Sequence, residues 1–179
     1  AVLANVANRK AIAFDKTGTL TEGKPKVTDF DVFDVADEPF VQELVYNMER
    51  QSNHPLATAI VTYLKDVAAV RELTVENVVG TGLEATVDGK QYQISKPSVF
   101  AGVSDAIHQT QQSLANEGKT VIYSGCNQQV IGLIALMDVP NEQAKQAIAY
   151  FRSQNVRTTM ITGDAKLTGE AVGRILGVD

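Results

Sequence analysis

A short apolar run that ends at a carboxylate constrains the fold of this chain more than any other feature. Ala11–Phe14 has the length and composition of a buried parallel strand, and the polar string Asp15–Thr21 follows it directly. Because open α/β sheets carry their chemistry at the carboxyl ends of strands, we expect Asp15 at such an edge. A carboxylate there can attack phosphorus and form an acyl phosphate. Lys16 would neutralise the transferring oxygens, and Gly18 would let the backbone approach them.

Thr17 bears on how long such an acyl phosphate would last. In phosphatases that use a similar aspartate, a second Asp two positions later supplies general acid–base catalysis, and this chain has Thr17 there. Because a hydroxyl shuttles protons poorly, we expect a phosphorylated Asp15 to persist long enough to be used. The hydroxyls of Thr17 and Thr19 would contact phosphate or Mg²⁺. A capped strand-to-helix turn with incidental polar residues is the alternative interpretation of the string taken alone.

A second strand edge of the same kind occurs late in the chain. Thr158–Ile161 is predicted as a strand, and Thr162–Asp164 follow at its carboxyl end. An apolar stripe predicts a helix over Glu142–Phe151, and a last helix runs to about Leu176, with Gly177 at its end. The first and last parts of the chain are therefore two α/β pieces.

The segment between these pieces alternates differently. Strands are predicted at 27–35, 75–79, 83–87, 91–94, 121–124 and 130–136, and helices at 40–48, 55–64 and 104–116. Asp88–Gly89 is a type I′ hairpin signal, and Gly125–Asn127 is interpreted as the turn of the last hairpin. We predict an α/β fold in which residues 1–24 and 131–179 form one discontinuous domain, while residues 25–130 form an inserted α+β domain.

Composition and charge exclude several classes of partner. The net charge of -5 and the absence of a basic stretch argue against nucleic acid. Cys126 is the single cysteine, which excludes a disulfide framework and a Cys/His metal cluster. The longest apolar stretch, Val130–Met137, is far shorter than the roughly 20 residues of a spanning helix, so we expect a soluble piece. The start at Ala1 and the end at Asp179 are interpreted as cuts in a longer polypeptide.

Three motifs together resemble the P-type ATPases, in particular their heavy-metal-transporting branch. Asp15–Thr21 (DKTGTLT) matches the phosphorylation signature of that family, and Thr162–Asp164 (TGD) resembles its second phosphate loop. Glu49–Leu56 (ERQSNHPL) is similar to the nucleotide-domain motif of the heavy-metal branch. The resemblance spans essentially the whole chain. It implies part of a Rossmann-like, haloacid-dehalogenase-type phosphorylation domain, interrupted by a nucleotide-binding domain of antiparallel sheet and helices.

On the phosphorylation side, the resemblance implies an acceptor and its supporting groups. The catalytic residues it implies are Asp15, Lys16, Thr17, Thr162, Gly163 and Asp164. Asp15 would take the phosphoryl group, and Mg²⁺ would bind through Asp15 and Thr17. Thr162 would hold a phosphate oxygen, and Asp164 would help to position Mg²⁺ and the nucleotide.

On the nucleotide side, the resemblance implies that ATP binds the inserted domain through Glu49, His54, Gly80 and Gly82. His54 precedes Pro55 at a predicted helix start. A helix N-terminus disfavours a protonated imidazole, so a neutral His54 would stack on adenine. The turn at Gly80 and Gly82 would line the pocket, because glycine lets a flat ring or a phosphate lie close to the backbone. Closure between the domains would then bring the γ-phosphate to Asp15.

The chain departs from the family pattern at several positions. Ala165 stands where Asn usually follows the TGD motif, and Asn141 stands where the family usually has Arg. Lys96 lies where a Gly-Asn pair is expected, and we interpret it as a solvated residue in preference to a phosphate contact. Asp138 has no evident partner in the sequence.

The implied function is the cytoplasmic ATP-binding and aspartyl-phosphorylation segment of a P-type ATPase that pumps a heavy-metal cation across a membrane. Its partners would be ATP, the transported cation bound elsewhere, and the transmembrane and actuator domains of the same polypeptide. The stretch Ser95–Phe100 weakly favours zinc or cadmium over copper. The segment alone is expected to bind ATP weakly and to phosphorylate poorly or not at all. Two alternatives stay open: a soluble Asp-nucleophile phosphatase with a cap domain, and a nucleotide-binding module without catalysis.

Overall fold

The computed structural model of the protein describes residues 11–33 and 36–179. In chain order the elements are β1 (Ala11–Asp15), the turn Lys16–Leu20, β2 (Thr21–Val32), α1 (Glu38–Glu49), α2 (Pro55–Leu64), β3 (Val75–Val78), β4 (Gly82–Val87), β5 (Lys90–Ser95), a short 3₁₀ turn (Pro97–Val99), α3 (Asp105–Asn116), β6 (Thr120–Cys126), β7 (Gln129–Pro140), α4 (Glu142–Ser153), β8 (Arg157–Ile161) and α5 (Lys166–Leu176). No helix among the described residues is long and apolar enough to cross a membrane.

The described residues form two compact units. The first contains residues 11–24, 115–119 and 138–179, and the second contains the rest. The chain therefore passes between the units four times: at Lys24–Pro25 within β2, at Leu114–Ala115 within α3, at Lys119–Thr120 before β6, and at Met137–Asp138 within β7. The crossing within β7 differs from the predicted limit at residue 130. Residues 131–137 lie in the second unit because β7 pairs with β6 from Gln129 to Leu136 around one bulge.

The first unit is built on two parallel strands. β1 and β8 pair in register, with Asp15 opposite Ile161, so both strands end at the same edge. Apolar side chains of α4 and α5 pack beneath this pair; the buried members are Ile12, Leu20, Ile148, Phe151, Val156, Val172 and Leu176. The rings of Phe14 and Phe151 lie 5.8 Å apart and join the strand to α4. This packing fixes the strand end at which Asp15 stands.

The second unit is a six-stranded sheet covered on both faces. The strand order is β2-β7-β6-β5-β4-β3, and the pairs from β3 to β7 are antiparallel. Neighbouring residues of β6 alternate between two cores, because successive side chains of a strand point to opposite faces. Ile122 joins the core under α1 and α2, whereas Val121 and Tyr123 join the core under α3. The predicted fold class, an α/β piece with an inserted α+β unit, is confirmed.

Two turns and one strand show how far the local sequence signals match the structure. Asp88 and Gly89 have φ values of 51° and 78°, which confirms the predicted type I′ turn. The predicted turn at Gly125–Asn127 is wrong, because the left-handed turn residues are Asn127 and Gln128, and Gly125 lies inside β6. A Cβ at Gly125 would lie 2.3 Å from the Phe100 ring, so this glycine makes room for an aromatic side chain.

The strand predicted at 27–35 also differs from the structure. β2 already begins at Thr21 and ends at Val32, and residues 34–35 lie outside the described residues. The polar residues after the turn continue as a strand because β2 lies next to β7 in the sheet. Residues 1–10 of the predicted first domain also lie outside the described residues.

Candidate functional site

The structure brings the Asp15 and Thr162 segments to one edge of the parallel strand pair. Asp15 is the last residue of β1, and Thr162 directly follows Ile161, its partner across the pair. Asp15 and Gly163 are exposed, and Thr162 is half-buried. A carboxylate, a hydroxyl and backbone groups are therefore available to a ligand at this edge.

Lys16 and Asp164 form a buried ion pair between the loops that follow β1 and β8. The Lys16 ammonium donates to the Asp164 carboxylate, 148 residues further along the chain. Lys16 is 6% exposed as a residue, and the Asp164 side chain is 15% exposed. A buried ammonium is costly unless a carboxylate offsets its charge, so this pair holds the two loops together. The Asp164 backbone N–H also donates to the Thr162 hydroxyl at 3.0 Å.

The turn Lys16–Leu20 depends on one glycine. Gly18 has φ 78°, a left-handed conformation that favours glycine. The turn closes where the Thr21 N–H donates to the Lys16 carbonyl. Lys16 is directed into the protein, while Thr17 is exposed next to Asp15. The turn thus separates a buried charge from an exposed hydroxyl.

Asp138, for which the sequence suggested no partner, fixes the end of this turn. Its carboxylate accepts a hydrogen bond from the Thr21 hydroxyl at 2.6 Å and one from the Lys24 N–H at 3.0 Å. Close by, the Asn141 N–H donates to the Leu20 carbonyl at 2.9 Å. Residues 138–141 therefore hold the carboxyl end of the turn. The sequence carried no signal for these contacts, because the partners are more than 100 residues apart.

The two departures from the family pattern have different structural outcomes. Asn141 is the N-cap of α4, and its side-chain oxygen accepts from the N–H groups of Gln143 and Ala144. Ala165 occupies the N-cap position of α5 without a side-chain hydrogen bond. Asn141 is therefore used locally to start a helix, whereas Ala165 leaves the first turn of α5 without such a cap.

Glu49 is the last residue of α1 and is buried. Glu49 is 6% exposed, and burial raises the pKa of its carboxyl group to about 7. Removal from water penalises the charged form of a carboxyl group, and this effect dominates here. Near neutral pH the group is therefore balanced between a hydrogen-bond donor and an acceptor.

His54 starts the neighbouring helix α2, and the short connection 50–53 joins it to the end of α1. Its Nδ1 accepts a hydrogen bond from the Leu56 N–H at 3.1 Å, so it caps the helix. In this arrangement the ring proton is on Nε2, and the exposed ring face is available to a flat ligand. The predicted helix start is confirmed, since Pro55 is the first residue of α2.

Gly80 and Gly82 form the turn between β3 and β4, and they are glycines for different reasons. Gly80 has φ 81° with open space beside it. Gly82 has φ 119°, and a Cβ there would lie 2.3 Å from the Ile94 carbonyl oxygen. The Thr81 N–H donates to the Val78 carbonyl at 3.0 Å and closes the turn. The turn presents exposed backbone at Gly80, while Gly82 permits the close approach of β5.

The donor set at the Asp15 edge fits a magnesium ion that is shared with a phosphate. Within the described residues, no group of three or more His, Cys, Asp or Glu side chains could hold a metal ion. Mg²⁺ is commonly bound by one or two carboxylates together with substrate phosphates and water. The exposed Asp15 carboxylate and the neighbouring Thr17 provide oxygen donors of this kind.

Comparison with known proteins relates these features to an enzyme family. A family model described as haloacid dehalogenase-like hydrolase matches residues 9–179. A "Probable cadmium-transporting ATPase" of Listeria monocytogenes is 32% identical over 191 residues, covering 98% of this chain and 27% of that protein. A "Probable copper-importing P-type ATPase A" of Enterococcus hirae is 34% identical over 182 residues, covering 99% of this chain and 24% of that protein. The chain thus spans about a quarter of these relatives' length.

A solved structure gives the same relationship. The crystal structure of a zinc-transporting PIB-type ATPase in its E2.Pi state superposes with a TM-score of 0.68 at 31% identity. It covers 98% of this chain, which corresponds to 29% of the solved chain. The similarity therefore extends through both units.

Proposed function

Since the chain belongs to the haloacid dehalogenase-like hydrolase family, we propose that it is the ATP-binding and aspartyl-phosphorylation part of a P-type ATPase that pumps a heavy-metal cation. One observation carries this proposal: an exposed Asp15 ends a parallel strand beside the buried Lys16–Asp164 pair. A nucleophilic carboxylate and a fixed ammonium next to it are the groups that phosphoryl transfer to a protein requires. The named relatives and the superposed structure support the pump assignment.

The proposed reaction uses Asp15 as the acceptor. A carboxylate oxygen of Asp15 attacks the γ-phosphorus of ATP, the bond to the bridging oxygen breaks, and ADP leaves with the electron pair. The Lys16 ammonium, held near the strand end, offsets charge on the transferring oxygens, and the Thr162 hydroxyl donates to one of them. Mg²⁺, held by Asp15 and Thr17, would supply further charge neutralisation. Water later cleaves the acyl phosphate, which releases phosphate and restores the Asp15 carboxylate.

The second unit is proposed to bind the nucleotide. The exposed ring of His54 would stack on the adenine, and Glu49, balanced between donor and acceptor, would hydrogen-bond to its edge. The Gly80–Gly82 turn would lie against the ligand, because no side chain shields its backbone at Gly80. Burial of Glu49 supports this role, since titrating groups with strongly shifted pKa values are frequent at functional sites.

The larger assembly is also part of the proposal. The chain would act with the transmembrane and actuator domains of its polypeptide, on the cytoplasmic face of a membrane, and the transported heavy-metal cation would bind in those other parts. The names of the relatives include cadmium, copper and zinc transporters, so the chain's own cation is proposed only as a heavy metal.

A soluble phosphatase is the competing function, and Thr17 argues against it. An efficient phosphatase of this type needs an acid–base group two residues after its nucleophile, and Thr17 is a poor proton shuttle. The reported relatives are ATPases. Release of phosphate from small phosphate esters at a rate that depends on Asp15 would favour the phosphatase.

Phosphoryl transfer is tested by incubating the chain with γ-labelled ATP and Mg²⁺ and then quenching in acid. Because the segment is expected to phosphorylate poorly, the label should be weak; it should form on Asp15, be stable in acid, be lost in hydroxylamine and be absent from Asp15→Asn. Lys145→Met, which alters a surface ion pair between Lys145 and Glu142, is the matched control and should label like the wild type. Label that persists in Asp15→Asn contradicts the proposed acceptor.

A further inference from the structure

Asn47 is a fully buried polar residue on α1, two positions before Glu49. Its amide NH₂ donates to the carbonyls of Glu43 at 2.8 Å and of Ala69 at 2.9 Å. Its amide oxygen accepts from the Arg71 N–H at 2.8 Å. Two carbonyls and one N–H thus surround the amide and fix its orientation, and both donors and the acceptor are used. Such a satisfied polar group in a core ties separate segments to one geometry.

The two residues after Glu49 extend this attachment. The Arg50 guanidinium donates to the Arg71 carbonyl at 3.3 Å, and the Gln51 amide donates to the Leu73 carbonyl at 2.8 Å. Together with Asn47, they hold the backbone at positions 69, 71 and 73. We call these three side chains, Asn47, Arg50 and Gln51, the α1 clamp. The clamp replaces the strand and helix hydrogen bonds that residues 68–74 lack, since this stretch has no regular structure.

The clamped stretch connects the two halves of the proposed nucleotide site. One half is helical, with Glu49 at the end of α1 and His54 at the start of α2. The other half is the Gly80–Gly82 turn, which follows β3. β3 is the edge strand of the sheet, and among the described strands it pairs with β4. Residues 68–74 lead from α2 directly into β3. The clamp therefore attaches the segment that precedes this edge strand to α1, the helix that carries Glu49.

We propose that Asn47 is a positioning residue for the nucleotide site. Its amide fixes the β3 edge and its glycine turn relative to the ends of α1 and α2. The inference rests on the proposed function, because it needs the nucleotide to contact both halves. A displacement of about 1 Å at one half would then weaken binding without removing any contacting group. Asn47 itself touches no ligand in this account.

The test is a calorimetric ATP titration of the 179-residue chain, well below its melting temperature. Asn47→Leu keeps the side-chain volume but removes all three hydrogen bonds. We expect the Kd for ATP to rise about tenfold, which corresponds to about 1.4 kcal/mol. We also expect the amide NMR signals of Gly80 and Gly82 to shift in the free protein, since the change would precede ligand binding.

A matched control separates positioning from stability. Leu133 is fully buried in the core under α3, on the other face of the sheet, and Leu133→Ala also destabilises the second unit. This variant should keep the Kd within about twofold and leave the signals of Gly80 and Gly82 unchanged. Gln51→Ala removes one exposed member of the clamp, so it should fold even if Asn47→Leu does not. It should raise the Kd about threefold and shift the same signals.

The outcomes distinguish this inference from the proposed function. If the wild-type chain fails to bind ATP, the nucleotide function fails and takes the positioning role with it. If the wild type binds but Asn47→Leu and Gln51→Ala behave like Leu133→Ala, the positioning role alone is overturned. Weakened binding in both clamp variants, with shifted glycine signals and an unaffected Leu133→Ala, supports it.

Discussion

Lys16 in the first unit and Glu49 in the second are equally buried, at 6% exposure each, but their surroundings treat their charges differently. Lys16 has an ion-pair partner in Asp164. The environment of Glu49 instead disfavours its carboxylate and raises its pKa to about 7. Burial alone therefore does not decide how a charge is held; the partner supplied by the fold does.

This difference suits the two proposed tasks. In the first unit, a prepaired ammonium and carboxylate are fixed beside the acceptor, and incoming phosphate oxygens would compete with Asp164 for Lys16. In the second unit, a carboxyl group near its pKa can either donate or accept a hydrogen bond, as the nucleobase edge requires. In the first arrangement the two charges offset each other before the ligand arrives, whereas the second carries a cost in the free protein.

Lys16→Met should give the largest effect, a loss of stability. The substitution removes the ammonium from the partly buried Asp164 carboxylate, and breaking one side of such a pair costs about 3 kcal/mol. Chemical denaturation at pH 7 measures this change in the free energy of unfolding.

Lys145→Met is the control for Lys16→Met. The Lys145–Glu142 pair spans 3.3 Å, and its side chains are 34% and 79% exposed. Exposed pairs contribute little, so the change should stay below about 0.5 kcal/mol. Equal losses for the two variants would show that burial of the Lys16 pair has no energetic consequence.

Glu49→Gln should increase the free energy of unfolding, in contrast to Lys16→Met. A neutral amide avoids the cost of a buried carboxylate, so the variant should be more stable than the wild type by about 2 kcal/mol at pH 8. The gain should disappear by pH 4, where the wild-type carboxyl is protonated in both states. In the same variant, the Kd for ATP should rise about tenfold if Glu49 contacts the nucleotide.

The pH dependence follows from the direction of the Glu49 shift. Its pKa is raised from 4.5 to about 7, so the folded protein binds the proton more tightly than the unfolded chain. The contribution of the Glu49 carboxyl to the free energy of unfolding of the wild type therefore falls as the pH rises from 4.5 to 7, and it stays low above pH 7. Denaturation of wild type and Glu49→Gln across this range would contradict the account if the difference were constant.

Asp179→Asn should have the smallest effect on stability. It removes a carboxylate that the fold stabilises in its charged form. The Thr158 N–H donates to Asp179 at 2.7 Å, the Thr158 hydroxyl donates at 3.1 Å, and Arg152 lies at 3.1 Å. The hydrogen bond from the Thr158 N–H is the largest cause that lowers the pKa of the Asp179 carboxyl; burial opposes it, and the Thr158 hydroxyl and Arg152 add to it. The contribution of this carboxylate is present at neutral pH and is lost as the pH falls through the lowered pKa.

Thermal unfolding at pH 7 should therefore show a small decrease in Tm for Asp179→Asn, and the difference from wild type should vanish in strong acid. A difference that grows as the pH falls would have the wrong sign. Because this group is stabilised when charged, it should respond to pH in the same sense as an ordinary ion-paired carboxylate and in the opposite sense to Glu49.

The sequence predicted features that depend on neighbouring residues. The strand ending at Asp15, the helix that starts at Pro55, and the Asp88–Gly89 turn all follow from local chemistry. The family motifs also indicated the correct fold, since they mark strand ends and helix starts. The roles assigned to the individual site residues stay predictions.

Contacts between distant segments could not be predicted in the same way. Nothing local pairs Lys16 with Asp164, or Thr21 with Asp138, and the burial of Asn47 on a helix gives no periodic signal. The turn predicted at Gly125 is wrong because of a contact of the same distant kind. The turn-like residue type at this position reflects the Phe100 ring that packs against it, which is a tertiary contact.

An ATP titration followed by NMR tests directly whether the second unit binds the nucleotide without help from the acceptor Asp15. We predict saturable shifts at His54, Gly80 and Gly82, and a Kd at least about tenfold higher in His54→Ala. Asp15→Asn should change the Kd by less than about twofold.

Loss of the helix cap in His54→Ala is controlled by Ser104→Ala, because the Ser104 hydroxyl accepts from the Ile107 N–H at 3.3 Å at the start of α3. That control should bind ATP like the wild type. An absence of saturable shifts in the wild type, or equal Kd values for His54→Ala and Ser104→Ala, would contradict the account.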